Sequence, residues 1–133
     1  MKKDIENRAD IERLVRIFYE KLLADDMLGH IFTEVAQIDL VEHLPILFDF
    51  WESVLFQVGK YSRNTMDIHL DLNMKYRLKG EHFNQWLILF YETVDEYFEG
   101  IKAQQAKERA LSIANIIKIK IDRLERLRLE INN

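Results

Sequence analysis

The stretch ADIERLVRIFYEKLLADD, residues 9–26, decides the fold class. Ile11, Leu14, Val15, Phe18 and Leu22 recur at steps of three and four, the spacing that lays apolar side chains along one face of an α-helix. Asn7 or Asp10 stands at its start, while Asp25, Asp26 and Gly29 break the pattern after it, so we expect a helix to about Ala24. A short apolar piece follows, Met27 to Phe32, long enough for a helical turn or two.

The same period recurs along the chain. Leu40, Leu44, Leu47, Phe48, Trp51 and Leu55 form a second stripe, with Asp39 as its cap and Gly59 as its end. Pro45 lies inside it and removes one backbone donor, which predicts a kink. Phe83, Trp86, Leu87, Phe90 and Val94 mark a third helix from about Gly80 to Phe98. Gly100 separates it from a fourth, roughly Lys102 to Leu129, carrying Ala106, Ala110, Ile113, Ile117, Ile121 and Leu124. Residues 59–79 are the least regular part. Their Gly59, Asn64, Asp67 and Asn73, together with Arg63, Lys75, Arg77 and Lys79, predict a loop with one short helix around Met66–Leu70.

Composition supports long helices. Only 4 glycines and 1 proline occur in 133 residues, too few for the many turns of an all-β domain. That length is one domain's worth, residues 1–133, with one core and no internal repeat. Cysteine is absent, which excludes disulfides, thiolate catalysis and cysteine-held clusters. The formal net charge of −4 argues against wholesale nucleic-acid binding. No apolar run is long enough for a transmembrane helix, and MKKDIENRAD lacks the apolar core of a signal peptide, so a cytoplasmic protein is expected.

Polar groups on the apolar faces narrow the function. Tyr19 borders the core face of the first helix, His43 lies on the core side of the second, and Trp86 sits mid-face on the third. Each presents a polar group that needs a partner when buried. His69, between Ile68 and Leu70, adds an imidazole from the irregular segment. Each residue taken alone reads as packing or surface. Together they are what a protein needs to hold an iron porphyrin, with one imidazole on the iron and donors opposite it. Other chemistries fail. The residues three before His30, His43, His69 and His82 are Met27, Leu40, Met66 and Lys79, so no Glu-x-x-His site exists. HExxH, a G-x-S-x-G elbow and a phosphate-cradling loop are missing. The acidic set Glu92, Asp95, Glu96 and Glu99 and the basic set Lys118, Lys120, Arg123, Arg126 and Arg128 read as solvated faces.

The strings Phe18-Tyr19, Leu28-Gly29-x-Ile31-Phe32, His43-Leu44-Pro45, Phe50-Trp51, His69-Leu70-Asp71-Leu72 and Phe83-x-x-Trp86 resemble, in order and spacing, those of a group III truncated haemoglobin. The resemblance covers residues 8–121, leaving 122–133 as a C-terminal helical extension. It implies an all-α truncated-globin fold, a two-over-two helical sandwich around haem b. It makes His69 the proximal iron ligand and Tyr19 the distal hydroxyl. Trp86 becomes a distal indole donor, and His43 a distal histidine that gates the pocket. Phe32 would pack on the porphyrin, and Leu47 and Phe50 would line its pocket. Tyr61, Arg63, Lys75, Arg77 and Lys79 are candidates to hold the propionates.

The chain departs from the family pattern in three places. His30 follows Leu28-Gly29 where proline is common, Tyr61-Ser62-Arg63-Asn64-Thr65 replaces Tyr-x-Gly-x-Pro, and Leu40 replaces a tryptophan. Two hydrogen-bond donors imply tight retention of a diatomic ligand, O2, NO or CO, since one hydrogen bond to a partly charged group is worth roughly 1.5–3 kcal/mol. Such retention suits oxygen or NO chemistry or sensing better than bulk oxygen transport. The resting iron would be five-coordinate or weakly six-coordinate through His43. NO dioxygenase or peroxidase-like turnover would need an electron donor, such as a reductase, that this chain does not supply. A non-haem helical interaction module is the alternative reading, and a sensor whose altered loop holds haem loosely is a third. A monomer is expected, with Leu124, Leu127 and Ile131 available either to the domain or to a second chain.

Overall fold

The computed structural model describes residues 2–31, 40–57 and 80–132. Among them are four helices: α1 (Arg8–Ala24), α2 (Leu40–Phe56), α3 (Gly80–Tyr97) and α4 (Ile101–Asn132). The boundaries follow the apolar periods to within a few residues. α2 continues through Pro45 and ends at Phe56, and Gln57 turns it off with a φ of 56°. Gly59, expected as the terminator, lies outside the described residues, as does Asp39 at the other end.

Local chemistry fixes the start of α1. Asn7 caps it by accepting from the Asp10 N–H at 3.0 Å. The Asp10 carboxylate reaches back to accept from the Glu6 N–H, one residue before the cap, at 2.9 Å. Both Asp10 oxygens also accept from Lys3, at 3.0 and 2.9 Å. Burial pushes the Asp10 carboxyl up, but the Glu6 N–H and the Lys3 ammonium outweigh it and hold the group below the usual carboxylate range. At the other end, the Asp25 carboxylate accepts from the N–H groups of Met27 and Leu28 at 3.1 and 3.0 Å, turning the chain. Gly29 is needed in that turn, because a Cβ there would lie 2.5 Å from the Leu23 carbonyl oxygen.

The helices pack in two pairs. α1 lies against both α2 and α3, and α4 lies against α3 and, more lightly, α2. Arg8 ties α1 to α2 through Asp49 at 2.8 Å and Glu52 at 3.1 Å, while Lys21 ties it to Glu96 of α3 at 2.8 Å. The main core gathers Ile11, Leu14, Val15, Phe18, Tyr19 and Leu22 of α1 with Leu47, Phe48, Trp51 and Leu55 of α2 and Phe90 and Val94 of α3. A second cluster joins Phe50 of α2 and Phe83 of α3 to Ile113, Ala114, Ile117 and Ile121 of α4. No helix among the described residues is long and apolar enough to cross a membrane.

The N-terminal segment closes the sandwich. Lys3 bridges to Phe98, and its carbonyl accepts from the Glu99 N–H at 2.9 Å. Asp4 caps α4 from outside, accepting from the N–H groups of Lys102 and Ala103 at 2.9 and 2.8 Å. Past Ile121, α4 continues with Leu124, Leu127, Leu129 and Ile131 exposed.

Candidate functional site

Consecutive residues on a helix point about 100° apart. Phe18 and Tyr19 use this: with α1 between α2 and α3, Phe18 turns to α3 and Tyr19 to α2. Tyr19 is buried, and its hydroxyl lies 3.0 Å from Nε2 of half-buried His43, with the two rings edge to face at 5.6 Å. Burial raises the Tyr19 phenol well above its ordinary value of 10.0, so it keeps its proton throughout the physiological range. The pair has two hydrogen-bonded states. With the proton on His43 Nδ1, the Tyr19 O–H donates to Nε2. With the proton on Nε2, the imidazole donates to the phenol oxygen and the Tyr19 O–H can point elsewhere.

Trp86 is half-buried and packs against both clusters. Phe18 meets its ring edge-on at 5.6 Å, and Phe90 stacks on it at 5.8 Å with 10° between the planes. The stack continues from Phe90 to Trp51 at 5.1 Å and from Trp51 to Phe50 at 5.3 Å. Leu47 is buried in the main core with Tyr19, whereas Phe50 belongs to the second cluster, and Trp86 packs against both, as Val54 and Leu87 do. The structure thus brings Tyr19 and His43 into direct contact and sets Trp86, Leu47 and Phe50 into the adjoining aromatic and aliphatic packing. Phe32, Tyr61, Arg63 and His69 lie outside the described residues, as do Lys75, Arg77 and Lys79.

Two features escaped the sequence reading. His82 is buried, one helical turn before Trp86. The i, i+4 spacing to Trp86 was visible, but a histidine beside Glu81 and Lys79 at a helix start reads as exposed. Phe18 counted only as a core residue, because ring-to-ring geometry leaves no mark in a periodic pattern.

A buried phenol in contact with an imidazole, set into the apolar and aromatic core of an all-α bundle, is the arrangement the described residues show. The chain is 31% identical over 118 residues to the group 3 truncated hemoglobin of Campylobacter jejuni, spanning 86% of this chain and 91% of that one. It is similar to the crystal structure of a group III truncated hemoglobin from Campylobacter jejuni, with a TM-score of 0.78, 30% identity and coverage of 91% and 95% of the two chains. No family model matches the chain. The chain belongs to the group III truncated haemoglobins, with their all-α two-over-two fold.

Proposed function

We propose that the protein binds haem b and retains a diatomic ligand, O2, NO or CO, in a pocket whose polar corner is Tyr19 with His43. The single observation that carries this reading is the 3.0 Å contact between the Tyr19 hydroxyl and His43 Nε2 inside an otherwise apolar wall. That donor set fits the group. A flat macrocycle needs apolar faces, which Leu47, Phe50 and Trp86 offer, and a ligand carrying partial negative charge needs a donor that stays protonated. Haem supplies an iron that takes the diatomic ligand, with His69 as the residue proposed to hold it. Phe32 is assigned to the porphyrin face, and Tyr61 and Arg63 are assigned to the propionates.

On this reading Tyr19 donates to the ligand, Trp86 adds its indole N–H, and His43 sets which way the Tyr19 proton points and gates access from solvent. One donor worth roughly 1.5–3 kcal/mol changes affinity by about ten- to a hundredfold. Oxygen or NO chemistry, or sensing, fits such retention better than bulk delivery. Turnover of NO or peroxide would be a further property, requiring an outside reductant.

The test is a UV–visible spectrum of the purified protein, as isolated and after hemin addition, in ferric, ferrous and CO-bound forms. A strong Soret band with a histidine-ligated ferrous–CO spectrum, lost in His69→Ala, supports the reading. A folded, helical chain that takes up no haem would overturn it in favour of a helical interaction module.

A further inference from the structure

We propose that Phe18 is the positioning residue that sets Tyr19 and Trp86 as one unit, and hence the rate at which the pocket releases its ligand. This rests on the haem reading above. Tyr19 stands on α1 and Trp86 on α3, so nothing in the local helix geometry relates one to the other. Phe18 does. It is buried, and its ring meets Tyr19 at 5.7 Å and 81°, Trp86 at 5.6 Å and 77°, and Phe90 at 5.1 Å and 88°. All three are edge-to-face contacts, the favoured geometry for an aromatic pair.

Each of the two polar rings has two ring contacts. Trp86 meets the edge of Phe18 and the face of Phe90, and those two rings also touch each other, so the three interlock. Tyr19 meets both Phe18 and His43 edge to face. Phe90 is itself backed by Trp51, so the surface that Phe18 presses against is stiff. A leucine at position 18 would keep an apolar group there and lose the ring edge. The hydroxyl and the indole N–H would then move independently, and a misplaced donor loses most of its hydrogen bond.

The test compares Phe18→Leu with Phe98→Leu, on apoprotein and on haem-reconstituted protein. Phe98 is also fully buried but lies twelve residues beyond Trp86, at the far end of the bundle near Lys3. Both substitutions should lower thermal stability. Only Phe18→Leu should alter the near-ultraviolet circular dichroism of the tryptophan bands, and only it should speed oxygen release, by about three- to tenfold. Phe18→Met serves if Phe18→Leu does not fold. Equal spectra and equal release rates in the two variants, while Tyr19→Phe does speed release, would overturn the proposal and leave the haem reading intact. If the parent protein takes no haem, the haem reading fails, and the dichroism of the apoproteins still decides whether Phe18 sets Trp86.

Discussion

The Tyr19 hydroxyl carries the two predictions made at the scale of a single residue. Tyr19→Phe keeps the ring that packs against Phe18 and removes only the donor, so oxygen release should rise about ten- to a hundredfold with little change in melting temperature, as measured by stopped-flow on the haem protein. The second is a pH dependence. Because burial holds the folded phenol above its unfolded value of 10.0, the unfolded chain loses this proton first as the solution becomes alkaline. The associated stability is therefore fully present below about pH 10 and is lost as pH rises from there toward the raised folded value. Denaturant midpoints from pH 8 to 11 should fall more steeply in the parent than in Tyr19→Phe; parallel curves would remove the buried-phenol explanation. The position of Tyr19 on the core face was legible from its spacing to Val15 and Leu22. Its contact with His43 was not, because nothing in a 3.6-residue period relates two residues 24 positions apart on separate helices.

Among the elements, the start of α4 shows how a helix end is fixed by residues far away in sequence. Asp4 accepts from the N–H groups of Lys102 and Ala103, two of the four that a helix N-terminus leaves without internal partners. Gly100 admits it: its φ is +142°, and a Cβ there would stand 2.6 Å from the Asp4 carboxyl carbon. Asp4→Ala should cost about 1–2 kcal/mol, or about 3–8 °C in melting temperature. Burial raises the Asp4 carboxyl, but the N–H groups of Lys102, Ala103 and Ile5 outweigh it and hold the group below 3.8. A depressed carboxylate stabilises the fold above its unfolded value and stops doing so as pH falls through the folded one. The gap between parent and Asp4→Ala should therefore be full at pH 6 and shrink as pH falls below 3.8 through the lowered folded value in thermal melts. Gly100→Ala should destabilise as well, by strain and by displacing Asp4. Gly100 was visible in the sequence as a break between helices; that Asp4, 96 positions earlier, supplies the cap was not.

For the whole molecule, the long α4 separates what the bundle needs from what it carries beyond. Its inner face is buried at Ile117 and Ile121, and Leu127 and Ile131 beyond them are 48% and 82% exposed. A chain ending at Asp122 should keep its helical spectrum and its haem uptake and melt within about 5 °C of the parent, because little apolar surface is withdrawn from the core. A loss of haem uptake would show that the extension supports the pocket.

The approximate course of the long helices and the inward face of each were set by local rules: a 3.6-residue apolar period and a shortage of glycine and proline. Such rules act within a few turns of chain, so they can be read in one dimension. The placement of Tyr19 on His43, the contact of Phe18 with Trp86, and the capping of α4 by Asp4 were decided only when the helices packed. Each joins residues from separate elements, and packing brings together side chains whose distance in sequence carries no trace of their distance in space.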